Sequence, residues 1–109
     1  MRQRRQQKGQ KRPLGPMQLE RTVETLPSFQ RVVMRFGFCT DLRTDCLPCF
    51  QFVKAQPEVL KAMNTSGPVT RKAGMTQDVR AVEVALEKMD MQELAKLRLR
   101  WLMYSALPR

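Results

Sequence analysis

DMQELAKLRLRWLMYSAL, residues 90–107, decides the fold class. Leu97-Arg98-Leu99-Arg100-Trp101 alternates apolar and charged residues with period two, as a half-buried strand would. Three features favour a helix. The segment holds no β-branched residue and is rich in Leu, Ala and Met. It runs beyond ordinary strand length. Asp90-Met91-Gln92-Glu93 has capping-box spacing, with Asp in place of Ser or Thr. As a helix, the segment places Leu94, Leu97, Trp101 and Tyr104 on one buried stripe. Lys96 and Arg100 then lie four apart on another face.

Outward from this stretch the same period recurs. Val79, Val82, Leu86 and Met89 form a stripe in QDVRAVEVALEKM, residues 77–89. Thr76 is the expected N-cap, with Asp78 in the first turn and Lys88 in the last, as the helix dipole prefers. Residues 64–75, NTSGPVTRKAGM, carry Gly67, Pro68 and Gly74 and read as a loop. Pro57 opens a short helical turn carrying Leu60 and Met63. In DCLPCFQFVKA, residues 45–55, Cys46, Cys49, Phe50 and Val53 fall at i, i+3, i+4 and i+7. Asp45 is the expected cap, and Pro48 is tolerated in the first turn. Residues 38–45 form a linker with two acid–hydroxyl turn signals. PSFQRVVMRF, residues 27–36, is the cleanest amphipathic pattern, with Phe29, Val32, Val33 and Phe36 on one face and Arg31 and Arg35 on another. Gly37 suits the position just past the helix. MQLERTVETL, residues 17–26, puts Leu19, Val23 and Leu26 on a further helical face, ended by Pro27.

The expected fold is therefore all-α: a small bundle of four or five short helices over residues 17–109, with a disordered basic arm over residues 1–16. At 109 residues the chain is one small domain, and its 42% hydrophobic content is enough for a core.

Charge is unevenly spread. Twenty Lys and Arg against ten Asp and Glu leave +10. Residues 1–19 hold Arg2, Arg4, Arg5, Lys8, Lys11 and Arg12 and no acid. Residues 78–93 hold two bases and five acids, and residues 94–109 hold four bases and none. Flexible Arg and Lys tracts bind phosphate backbones by releasing counterions, and Arg adds bidentate phosphate contacts. The expected nucleic-acid contacts are thus Arg2, Arg4, Arg5, Lys8, Lys11 and Arg12, extended by Arg71, Lys72, Lys96, Arg98 and Arg100. Trp101 and Tyr104 beside Arg could stack bases, although a single Trp in a small bundle more often fills the core. The arm also has the composition of a nuclear import signal.

There is no histidine, which removes imidazole bases, His-based triads and imidazole metal ligands. Phosphate-binding glycine loops and GxSxG are absent too, so no catalytic residue is assigned and a non-enzymatic protein is expected. Cys39, Cys46 and Cys49 are an odd set with one CxxC, unlike the disulfide framework of a small secreted domain. Core packing of Cys46 and Cys49 is the leading reading. Zinc on Cys39, Cys46 and Cys49 and a redox pair are weaker ones, since a structural zinc site wants four ligands. No cofactor is otherwise expected. No run approaches the roughly eighteen apolar residues of a membrane span, and no secretory signal is evident. The expected compartment is reducing, nucleus or cytoplasm.

Two functions follow as expectations. The first is a small non-enzymatic nucleic-acid-binding protein, with RNA as the polymer. The second is an accessory factor acting by protein–protein contact, for example against a host pathway, with the arm as a nuclear localisation signal. Of eight methionines, Met34, Met63, Met75, Met89, Met91 and Met103 are spread over several expected helices and suit an adaptable surface, for a protein partner or a homodimer. In composition the chain resembles small viral accessory proteins. Leu14, Leu19, Val23 and Leu26 among acids resemble a leucine-type nuclear export signal, a plan similar to retroviral RNA-export proteins.

Overall fold

A computed structural model describes residues 22–108. The arm expected over residues 1–16, and the start of the helix expected from residue 17, lie outside the described residues. Those described are all-helical. A short 3-10 turn, Val23–Thr25, leads into α1 (Ser28–Arg35), α2 (Leu47–Lys54), α3 (Pro57–Ser66), α4 (Gln77–Glu87) and α5 (Met91–Ser105). No strand occurs among them, so the period-two run at 97–101 is helical. The capping box explains why. Asp90 accepts from the Glu93 N–H at 2.8 Å, and Glu93 accepts from the Asp90 N–H at 3.3 Å. Two orphan donors are satisfied before the alternation begins.

The helical stripes meet in one core. Val32 and Val33 of α1, Cys49, Phe50 and Val53 of α2, Val59 of α3, Val79, Val82 and Leu86 of α4, and Leu97 of α5 are all buried. Helix α4 packs on α3 and α1, while α2 bridges α1, α3 and α5. The end of α1 is a Schellman motif. Gly37 stands at φ +83, its N–H bonds Met34 O at 3.1 Å, and the Phe38 N–H reaches Val33 O at 2.8 Å. That positive φ is where glycine is at ease. It turns Phe38 back into the core. Buried Gln30 then fastens the α1–α2 connection from within, donating to Leu42 O at 3.3 Å and Thr44 O at 2.9 Å.

Cys46 rather than Asp45 is the N-cap of α2, Tyr104 of the expected buried stripe is half-exposed, and three further details differ from the expectations. First, the helix expected across 17–26 is wound, within the described residues, only at Val23–Thr25. Leu26 is buried and Val23 is exposed. Pro27 forces Leu26 into extended backbone (φ −75, ψ 152), so no helix runs through it. Second, the core residue of α3 is Val59, while Leu60 faces solvent. Third, the three cysteines are not a set of free thiols. Cys39 and Cys46 form a disulfide with Cα atoms 6.7 Å apart, closing the α1–α2 connection a second time. Cys49 is buried, and burial pushes its thiol up to about 12. Among the described residues no group of three or more Cys, Asp or Glu side chains is placed to hold a metal. The zinc set of Cys39, Cys46 and Cys49 is not assembled, because two of its sulfurs are bonded to each other.

The phase of α3 is directly testable. Val59→Ala, at a fully buried position, is expected to cost roughly 2 kcal/mol in urea unfolding, and Leu60→Ala under about 1 kcal/mol. The reverse order of costs would contradict this packing of α3.

Candidate nucleic-acid interface

Arg31 and Arg35, one turn apart on α1, point away from the core towards the loop that precedes α4. Three side-chain bonds fasten this loop, residues 67–76. Gln77 donates to Val69 O at 2.9 Å, Arg80 Nε to Thr70 O at 3.1 Å, and Arg31 Nη2 to Gly74 O at 3.2 Å. The loop therefore lies pinned across α1 and α4, and Lys72 is carried to the same place as the α1 arginines. Between them is a cleft of about 490 Å³ lined by Arg31, Arg35, Lys72, Met75, Glu83 and Glu87, with Val23 at its lip.

Glu83 organises this cleft. Its side chain is 4% exposed. Oε2 accepts from Arg35 at 2.9 Å, and Oε1 accepts from Arg80 at 2.8 Å and from Lys72 at 3.4 Å. Burial alone would push the carboxyl upward. Hydrogen bonds from Arg80 and Arg35, with the charge of Lys72, outweigh it and hold Glu83 below the usual carboxylate range. Arg35 also donates to Glu87 at 2.8 Å, and its guanidinium lies 4.8 Å from the centre of the Phe36 ring. Four cations thus stand against two carboxylates, an excess of two positive charges. Arg31 meets no acid. Among the described residues its one bonded donor is Nη2, and its buried Nε has no acceptor.

The expected site residues of the folded part do not gather in one place. Arg71 and Lys72 adjoin the cleft on its loop, and Arg71 is exposed. Lys96 is exposed on α5. Arg98 turns inward. Its Nη1 donates to Phe36 O at 3.1 Å, and its chain lies 3.1 Å from where a Gly37 Cβ would stand. There the guanidinium caps the negative end of α1. Arg100 forms a two-pronged bond with Glu58, at 3.0 and 2.8 Å, and donates to Gln56 Oε1 at 2.6 Å, tying α5 to the start of α3. Arg98 and Arg100 serve the fold. Trp101 is half-buried, its ring centroid 5.3 Å from that of Phe52. Tyr104 is half-exposed, with its centroid 4.8 Å from the same ring. Arg2, Arg4, Arg5, Lys8, Lys11 and Arg12 lie outside the described residues.

Arg31, Arg35 and Arg80 were not among the expected contacts. The i, i+4 spacing of Arg31 and Arg35 was legible in the sequence. Nothing local signals that Lys72, about forty residues later, closes on them.

Comparison with protein-family models, with curated proteins and with solved structures finds no match.

Two outcomes test this arrangement. No histidine is present, so stability in urea should be flat between about pH 5 and 7. Glu83 has a lowered folded pKa. Its stabilisation is therefore complete above the ordinary carboxylate value near 4.5 and is lost as pH falls through the folded value. Glu83→Gln should lose roughly 1–3 kcal/mol at pH 7 and show a shallower acid decline. An unchanged acid decline would remove Glu83 from this role. Arg98→Met should lower stability by about 1 kcal/mol while leaving polyanion affinity intact. A selective loss of affinity would return Arg98 to the interface.

Proposed function

We propose that this chain is a small non-enzymatic RNA-binding protein that grips the phosphate backbone in two places: along residues 1–19, and in the cleft between α1 and the 67–76 loop. The charge layout carries the reading. Residues 22–108 hold twelve bases against nine acids, and Asp41, Glu58, Asp78, Glu83 and Glu87 are each committed to an ion pair. The folded body is close to self-neutralised. Arg31 and Arg71, about the cleft, meet no acid among the described residues, and Lys72 shares Glu83 with Arg35 and Arg80, whereas residues 1–19 hold six cations and no acid. A run of that kind has no intramolecular partner in its own sequence, and a phosphate polymer supplies one.

The cleft orients the contact. Arg31 has donors to spare, and planar guanidinium groups favour phosphate oxygens. Phosphate can compete for Arg35 at the Glu87 contact, which is more than a third exposed on both sides, without dismantling the buried Glu83 contact. Single-stranded RNA is the favoured form, because a cationic run without acids can pair with an irregular phosphate backbone. The alternative, an accessory factor acting on another protein, has one feature in its favour: the exposed apolar residues of α5.

Fluorescence anisotropy with a labelled single-stranded RNA, titrated over a range of salt, tests the proposal. Deleting residues 1–13 should flatten the log–log salt slope by up to about 4, at about 0.7 for each phosphate no longer neutralised. Arg31→Ala with Lys72→Ala should flatten it by about 1.4. Glu87→Gln removes a competing carboxylate and should tighten binding several-fold at low salt. Affinity that ignores the deletion at every salt concentration defeats the proposal.

A further inference from the structure

The outward face of α5 is apolar and uncovered. Leu99 is 57% exposed, Leu102 and Met103 64% each, and Met91 84%. Leu99 and Met103 lie opposite the stripe of Leu94, Leu97 and Trp101 that meets the core, with Leu102 and Met91 on the flank between. Gln92, Ala95, Leu99, Leu102 and Ala106 follow one another at intervals of three and four residues, and all are exposed. That is the three-and-four spacing of a short helix–helix seam, laid along the back of a helix already packed on its front, with Ala106 at its C-cap.

The seam is its own complement when reversed. Turned end for end about the midpoint between Arg100 and Trp101, Leu99 meets Leu102 of a second copy and Ala95 meets Ala106. The bulky pair sits at the centre and the small pairs at the ends, where the backbones approach. Charge agrees with this register. Lys96 lies level with Ser105 of the second copy, and the two Lys96 are nine residues, roughly 14 Å, apart along the axis. A parallel pairing would instead set the two acidic first turns, Asp90 and Glu93, level with one another. Antiparallel pairing separates them by about the length of α5, and sets each positive helix end against a negative one. Arg98 and Arg100 are held on the body side by Phe36 O and Glu58, and so leave the seam clear.

We infer that α5 is the dimerisation element of this protein, pairing antiparallel with the α5 of a second copy through Ala95, Leu99, Leu102 and Ala106. A two-fold contact of this kind uses the same patch on both copies and closes on itself. Covering the face on both copies withdraws roughly 1,000 Å² in total, more than most adventitious contacts and at the low end of specific interfaces. The inference stands apart from RNA binding, though a dimer would present two copies of the cationic run in one particle.

Sedimentation velocity on the full chain, from about 1 to 200 μM, should show monomer passing to dimer. Leu99→Glu with Leu102→Glu should keep the helical circular dichroism and weaken association at least ten-fold. Orientation is read by oxidative cross-linking. Ala95→Cys with Ala106→Cys in one chain should form a 95–106 bond between copies. Ala95→Cys alone should form no 95–95 bond, since antiparallel pairing holds those positions roughly 16 Å apart. A monomer throughout the range, with the face shielded by the chain's own residues 1–21 or left bare, overturns the inference. So does a dimer that survives the double glutamate variant, or a 95–95 bond from the single cysteine variant.

Discussion

One buried carboxylate holds together what the hydrophobic core alone leaves apart. The apolar stripes of α1 and α4 bring two helices into contact, but they say nothing of the loop between α3 and α4. Glu83 does. It receives Arg35 from α1, Arg80 from its own helix and Lys72 from the loop, on two oxygens that are almost wholly withdrawn from water. A carboxylate in that position is costly unless its lone pairs are filled by charged donors. Here they are filled from three separate parts of the chain. The contact ties Lys72 of a loop already pinned by Gln77, Arg80 and Arg31 and collects cations in one place, so the α1–loop–α4 packing and the charge of the cleft share residues.

The chain divides its positive charge by role. Arg98 and Arg100 look like surface cations in the sequence, since they alternate with leucines on an evidently basic segment. Each is spent inside the fold, one at the carboxyl end of α1 and the other on Glu58 and Gln56. The fixed geometry of their bonds makes them braces. Arg31, one turn ahead of Arg35, has a carbonyl partner and no acid, and stays chemically open. The distinction lies in which acceptors the fold brings near each guanidinium, and that cannot be counted from composition.

What was legible follows from the range of the interactions concerned. The stripes Phe29–Val32–Val33–Phe36, Cys46–Cys49–Phe50–Val53, Val79–Val82–Leu86–Met89 and Leu94–Leu97–Trp101–Tyr104 depend on spacing within one helix; the two middle ones are buried throughout, Phe29, Phe36, Leu94 and Trp101 are half-buried, and Tyr104 at the end of the last is half-exposed. The Asp90–Glu93 capping box and the Gly37 turn are equally local, and both form as their residues imply. The misreadings arise where a longer-range effect decides. Val59 rather than Leu60 faces the core because Pro57 sets the start of α3, and so its phase, against α4. The turn before Pro27 stays short because the proline constrains its neighbour. Cys46 and Cys49 are buried as their spacing implies, but that spacing does not show that Cys46 also bonds Cys39 across the α1–α2 connection. The cleft was the least legible feature, being assembled from residues more than forty positions apart.

The central claim is that a phosphate polymer meets the body at the α1–loop cleft, with residues 1–19 providing most of the attraction. Amide and arginine side-chain NMR of the labelled full chain, titrated with a short single-stranded RNA, addresses it residue by residue. The account predicts that Arg31, Arg35 and Arg71 to Met75 shift together and saturably, with the signals of residues 1–12, while the outward face of α5 stays in place. Shifts confined to α5, or none beyond residues 1–12, would contradict it.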